Sequence, residues 1–510
     1  MLRVHDKRTF ILYLVLAAVV VGAANFISRD LFFRLDITDN GIYSLSESSK
    51  RVVEKIEDRL TMKVYFSDNL PGEYGNNRRY LQDILEEYEA YAHGNVHFEI
   101  YPPESDETLA MEAQRYGIQP VQLQVIENDK LEVKRVYMGL VLLYGDKRET
   151  LPIIQTTTGL EYEITTQIKK LVERERRTVG VAKFADQEVK MDNVRQVLGQ
   201  TYNVRVINLD RAVPSEISVL LVSGAQDSVS ADELAHLRGF VGRGGNLFFA
   251  QGRVKADLST QMGTPIQSNI FEVVDALGVN LEENLVLDGQ CGNVTVTQSR
   301  GIFRMNSQVP YPFFPAVRRF GDHVMVKGLE QVQVLYASEI SYDAGADTLA
   351  GGTGAGAPTP IPLLMTSDRS GEMTGFYNLR PMDNPLFGSL NQPGKTVAAL
   401  LTVPADSVGA VSQVVLVGDT QFLSDSGGGT IPENFIFIAN AVDYLMGDSD
   451  LVELRSREVT SRPLLVLSDA ARSKWKWANI VLPSILVIGY GVFRWRREVN
   501  RAKILEERYG

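Results

Sequence analysis

The chain has 510 residues, enough for two or three domains with cores of their own, and its 44% hydrophobic and 23% charged content suits a globular protein rather than a disordered one. A net charge of -11 argues against nucleic acid as the main partner, because phosphate binding needs a basic face. The single cysteine, Cys291, excludes an intrachain disulfide and any Cys-rich metal site.

The first element in chain order is an apolar run from Phe10 to Ile27, roughly 18 residues without a charge and near the minimum that spans a bilayer. Its counterpart runs from Trp477 to Phe493, bracketed by Trp475, Trp477 and Trp495. Arg3, Lys7 and Arg8 precede the first run; Arg494, Arg496, Arg497, Arg501 and Lys503 follow the second. The positive-inside rule then places both termini in the cytoplasm of a bacterial inner (plasma) membrane and the bulk of the chain outside, in the periplasm. Arg29, Arg472, Lys474 and Lys476 dilute the asymmetry. Gly22-Ala23-Ala24 would suit signal-peptide cleavage, but the apolar run continues past it through Phe26 and Ile27. The expectation is two transmembrane helices, with residues 1–28 holding the first and 474–510 holding the second and a basic tail.

Between them, "LDITDNGIYSLSESSKRVVEKI" (Leu35 to Ile56) carries Ser44 and Glu47 at capping-box spacing, followed by Val52, Val53, Ile56 and Leu60 on one helical face. A first outer domain, 29–172, reads β-α-β-α and then a meander: "TMKVYFS", "NRRYLQDILEEYEAYA", "NVHFEIY", "DETLAMEAQRYGI", "VQLQVIE", a single long strand "EVKRVYMGLVLLYG", "ETLPII" and a closing helix. This order looks thioredoxin-like, but "FSDNLPGEYGN" stands where such folds carry CxxC, so the domain would be a scaffold. A second outer domain, 173–460, alternates apolar strands with amphipathic helices, the pattern of a parallel sheet covered on both faces, and the strand "NLVLDG" is counted among them. A β-rich insertion follows from about Val294, containing the Gly/Pro/Ala loop "AGADTLAGGTGAGAPTPIP". The architecture resembles flavodoxin-like and class I amidotransferase-like proteins.

Chemical motifs are scarce. Gly394-Lys395-Thr396 is the tail of a phosphate loop, but the glycine expected five residues earlier is Ser389, and Pro393 removes an amide. His93 and His97 have a metal-like spacing only on a helix, and Gly94-Asn95 reads as a turn. His236 and His323 have no nucleophile in a recognisable motif. Cys291 follows a strand without the helix that an amidotransferase-like elbow requires, so it reads as a tolerated thiol. No catalytic residue, cofactor or metal is assigned. What remains is geometric: ligands of open α/β sheets bind outside the carboxyl ends of strands. The polar ends here are Asp186-Gln187, Gln226, Asp227, Gln251, Arg253, Asp419 and Gln421, a candidate crevice for a ligand or partner, unless they are ordinary solvated loop residues.

The phrase "LDITDNGIYSLSESS", with "VLLVSGAQDSVSADELAHLRGFVGRGGNLFF", "VVLVGDTQFLSD" and "NAVDYLMG", resembles the auxiliary (substrate-binding-like) component of gliding-motility (Gld-type) ABC transporters, over nearly the whole chain. That resemblance implies a non-catalytic subunit working beside a separate multi-spanning ABC permease and a cytoplasmic ABC ATPase, with a further envelope or periplasmic partner open. The chain's own residues agree, since it holds no ATP motif and too few spans for a channel. Two alternatives stay open: a free-standing cell-envelope ligand-binding module, and a degenerate amidotransferase-like hydrolase. Substrate, transport direction and gliding itself are not implied.

Overall fold

The computed structural model describes residues 44–68, 70, 72–127, 130–173, 176–185, 187, 189–300, 303–342, 360–405, 411–448, 451, 452, 454, 455 and 469–509. The apolar run Phe10 to Ile27, the part of the opening phrase from Leu35 to Tyr43, Asp186 and most of the Gly/Pro/Ala stretch lie outside them. Two units are present, a body up to Thr460 and a C-terminal segment from Ser461. Together they form a mixed α/β protein with one apolar C-terminal helix.

Helix α1 (Glu47–Glu54) is capped by Ser46, whose hydroxyl accepts from the Ser49 amide at 3.1 Å. The sequence spacing placed the cap two residues earlier, at Ser44. The shift has a tertiary cause: Glu161 accepts from both the amide and the hydroxyl of Ser46 at 2.8 Å, so the carboxylate completing the cap comes from another helix. Val52, Val53 and Ile56 are buried, as the periodicity requires.

The first lobe continues through β1 (Leu60–Phe66), α2 (Gly72–Tyr91), β2 (Val96–Tyr101), α3 (Glu107–Arg115), a hairpin of β3 (Val121–Glu127) and β4 (Lys130–Val136), β5 (Met138–Tyr144), β6 (Lys147–Leu151) and α4 (Leu160–Val172). Its four-stranded sheet has the order β2-β1-β5-β6, with β1 and β2 parallel and the other neighbours antiparallel. The period of two sends Leu60, Met62, Val64 and Phe66 onto the face shared with α1, α2 and α4. Tyr65 and Val141 point to the other face, against Ala113 and Ile118. The long strand expected over "EVKRVYMGLVLLYG" is broken at Tyr137. Ser67 explains the break: its amide donates to the Tyr137 carbonyl at 3.0 Å and its hydroxyl accepts from the Tyr137 amide at 2.9 Å, leaving neither group for the hairpin.

The second lobe contains β7 (Thr178–Lys183), α5 (Asp192–Leu198), β8 (Asn203–Asn208), β9 (Ile217–Ser223), α6 (Ala231–Gly242) and β10 (Asn246–Ala250). A projecting hairpin follows, β11 (Cys291–Arg300) and β12 (Phe303–Val317), then β13 (Arg319–Phe320), β14 (Ile361–Met365), β15 (Thr396–Pro404), β16 (Val411–Val417) and α7 (Pro432–Leu445). The eight-stranded sheet runs β13-β14-β15-β16-β10-β9-β7-β8, parallel from β16 to β8 and antiparallel from β16 to β13. Alternate residues of the parallel strands feed two apolar clusters, Phe248 and Val415 with α5 and α7 on one face, Leu247, Phe249 and Leu416 with α6 on the other.

One expectation changes here. The strand Asn284–Asp288 leaves the parallel sheet and pairs antiparallel with Ser370–Thr374. Its Asp288 takes the amides of Gln290 and Ser367 at 2.8 and 2.7 Å, tying it to the insertion. The near-miss phosphate loop is followed by a strand, because Thr396 opens β15, and Lys395 is held by Glu339 at 2.6 Å and Glu372 at 3.3 Å.

In the second unit, α8 (Asp469–Tyr509) contains Pro483, and its stretch Ser473–Asn500 is long and apolar enough to cross a membrane.

Candidate functional site

The carboxyl ends of β7, β9 and β16 open onto a crevice of about 420 Å³ lined by Lys190, Gly224, Gln226, Thr420, Gln421 and the Ser424–Ser426 turn. Gln226, Thr420 and Gln421 also line a narrower cleft reaching Leu335, Tyr336 and Asp419. The residues singled out from sequence divide by role. Gln251 is fully buried: its carbonyl accepts from the Ala225 amide at 2.9 Å, and its amide donates to the carbonyls of Ala225 and Gly252 at 3.2 and 2.7 Å. It latches the β9 and β10 loops together, and Gly224 is confined to glycine, because a Cβ there would lie 2.6 Å from the Ala250 carbonyl oxygen as well as 2.4 Å from Gln251 Oε1. Asp419 is also buried, with one oxygen accepting from the Leu335 amide and the other from the Gln421 amide, both at 2.8 Å. Burial pushes its carboxyl up to about 7, against those two amides. Arg253 donates to the Leu281 carbonyl at 2.8 Å and lies 4.1 Å over the Phe271 ring. These three build the wall. Gln226 and Gln421 are half-buried at the crevice, and the Asp227 side chain is exposed at its rim. Gln187 supports that rim, accepting from the Gln226 amide at 2.8 Å and donating to the Asp227 carbonyl at 3.1 Å.

One crevice residue escaped the sequence reading. The Asp425 carboxylate accepts from the amides of Asp192 and Asn193 at 2.8 and 3.1 Å, so the start of α5 is already supplied with an anion by the chain itself. Elsewhere the titratable groups serve packing. His93 sits in a left-handed turn, and His97 on β2 meets Glu89 at 2.7 Å. His236 contacts the Leu209 carbonyl at 2.8 Å, and the His323 ring stands 4.7 Å from that of Tyr444. Cys291 opens β11, where burial pushes its thiol up, away from the reactive thiolate.

A second constellation, unseen in the sequence, lies on the first turn of α4. Glu161 is buried and accepts from the Ser46 amide, the Ser46 hydroxyl and, at 2.7 Å, the Ser49 hydroxyl. The next residue, Tyr162, accepts from the Arg455 guanidinium, which lies 4.5 Å over its ring. Arg455 also donates to Asn440 and, at 2.8 Å, to Asp443, whose other oxygen accepts from Tyr202 at 2.7 Å. Burial pushes the Asp443 carboxyl up, and the Arg455 charge pulls it back. One face of the same helix carries Lys169, paired with Asp448, while Arg177 donates to the Met446 carbonyl. The sequence did hold a signal. Glu161 and Thr165 fall at helical spacing beside the apolar row Leu160, Ile164, Ile168, an improbable place for a carboxylate unless something meets it.

With this geometry in view, the comparisons with known proteins place the chain. A family profile described as "ABC-type uncharacterized transport system" matches residues 154–443, and a domain of unknown function matches residues 39–143. The chain belongs to that ABC-type transport family, and its role is that of a transport-associated accessory component. A protein of Borreliella burgdorferi described as uncharacterized is 20% identical over 488 residues, covering 91% of this chain and 93% of the relative. Among solved structures, the mmIFT52 N-terminal domain is 11% identical with a TM-score of 0.33, covering 52% of this chain and 96% of that one. A thua-like protein from Parabacteroides merdae is 10% identical with a TM-score of 0.28, covering 54% and 91%.

Removing Arg455 leaves Asp443 buried without its cation. Arg455→Ala should therefore lower the stability of the body by about 3–5 kcal/mol in urea titrations followed by circular dichroism. Adding Asp443→Asn should restore part of the loss. A loss below about 1 kcal/mol, the range of an exposed pair, would contradict the assignment.

Proposed function

We propose that the chain is a non-catalytic auxiliary subunit of a bacterial ABC transporter, holding a large extracytoplasmic body over a separate permease driven by a separate cytoplasmic ATPase. The observation that carries this reading is the double grip of α4. Ser46, the start of the body, and Arg455, near its end, are held by adjacent residues Glu161 and Tyr162. A body whose segments around Ser46 and Arg455 are gathered on one helical turn suits a part that transmits orientation, whereas a freely diffusing binding module needs no such gathering. Asp419 and Asp425 accept from backbone amides and Asp443 pairs with Arg455, which supports a non-catalytic reading.

Finer features accord with the Gld-type resemblance. The order β2-β1-β5-β6, with β5 antiparallel to β1, supports a thioredoxin-like scaffold without its thiols. The five parallel strands with helices on both faces support a flavodoxin-like or amidotransferase-like second domain. The apolar runs at both ends would fix both termini in the cytoplasm.

Solubilised in a gentle detergent, the tagged protein should bring down a multi-spanning permease and an ATPase; recovery of the protein alone would refute the subunit reading. Topology is tested in a Cys291→Ala background. With Glu54→Cys, exposed on α1, an impermeant maleimide should label intact spheroplasts, and with Arg501→Cys only permeabilised ones. Labelling of the tail from outside would overturn the orientation.

A further inference from the structure

Helix α7 relates the two constellations to each other. Asn434, in its first turn, donates to the Gly428 carbonyl in the loop that follows β16, at the carboxyl edge of the parallel sheet. Its last residue, Leu445, accepts from Asn246, which opens β10 at the amino edge. Asp443 and its partner Tyr202, next to the first residue of β8, lie at that amino edge too. The Glu161–Tyr162 grip on the two ends of the body is therefore at the amino edge. The crevice is at the carboxyl edge, about 20 Å away by the length of a 14-residue helix.

The crevice's chemistry narrows what it would take. An anion is disfavoured: Asp425 already occupies the start of α5, and Asp227 at the rim and Asp419 in the wall stand against Lys190 in the wider part and Lys255 in the narrow one. An apolar ligand would strand the side-chain amides of Gln226 and Gln421, which among the described residues make no hydrogen bond within the chain. Each amide presents a donor pair beside an acceptor, the pattern that meets adjacent hydroxyl groups. Tyr336 borders the narrow end with φ of 52°, a left-handed backbone that is rare for a bulky residue and concentrates at ligand sites. The volume of about 420 Å³ falls within the range of small-molecule sites.

We propose that this crevice binds a neutral polyhydroxylated ligand, a saccharide chain of the cell envelope, on the edge of the body opposite the Glu161–Tyr162 grip. Its placement on the envelope side rests on the auxiliary-subunit reading; its chemistry does not. The test uses the full-length protein in a sugar-free detergent, with Cys291→Ala combined either with Ser426→Cys, exposed at the crevice, or with Asn203→Cys, exposed at the amino edge. Chitotriose or maltotriose at about 10 mM should slow maleimide labelling at position 426 about threefold, the slowing expected at two-thirds occupancy, and leave position 203 unaffected. Gln226→Ala with Gln421→Ala should abolish the protection, and inorganic phosphate should give none. Protection by phosphate alone, equal slowing at both positions, or no slowing by either sugar would overturn the proposal. An unprotected crevice in a protein that still brings down permease and ATPase refutes this site alone. A protected crevice in a protein that purifies alone refutes only the subunit reading.

Discussion

A carboxylate buried in the first turn of a helix must find donors, and Glu161 finds three on the segment that brings the chain into its folded body. The neighbouring Tyr162 does the same for the segment that leads the chain out, through Arg455. Neither contact is local, and each depends on the other lobe elements being in place. The cap of α1 gains its carboxylate only if α4 is docked, and Asp443 is tolerable in the core only if Arg455 and Tyr202 reach it. Much of the body's architecture follows from this one turn. The first-lobe sheet packs its apolar face on α4, and the parallel sheet is joined to α4 through α7, Lys169 and Arg177.

At the far edge of the parallel sheet the chain behaves differently. The loops after β9, β10 and β16 satisfy most of their polar groups among themselves, through Gln251, Asp419 and Asp425. What they leave is a polar mouth bordered by Gln226, Gln421 and Lys190.

Much of this was legible in the sequence wherever a local period dictates structure. The apolar pattern of "TMKVYFS" and "ISVLLVSG" appears in the fold as β1 and β9, where their spacing puts them. Three features were not legible, because long-range partners decide them. The cap of α1 moved from Ser44 to Ser46 when Glu161 supplied the acceptor. The strand through Tyr137 broke because Ser67 claimed both of its backbone groups. Asn284–Asp288 has the apolar composition of a core strand, yet its Asp288 commits it to the insertion. At the crevice, spacing located the loops correctly but could not separate Gln251, Asp419 and Arg253, which build walls, from Gln226 and Gln421, which line the space. Arg455 was invisible for the same reason, since "VELRSR" carries no sign of the acid that its first arginine will meet.

The central claim is that α4 binds the two lobes into one cooperative body and fixes the segments around Ser46 and Arg455. Native-state hydrogen exchange on the full-length protein measures this directly. If the claim holds, the amides of Ile164–Leu171 in α4 and Phe437–Leu445 in α7 open together, with the same free energy and the same denaturant dependence. If α4 opens with the first lobe while α7 and the parallel sheet stay protected, the lobes are independent and the claim is wrong.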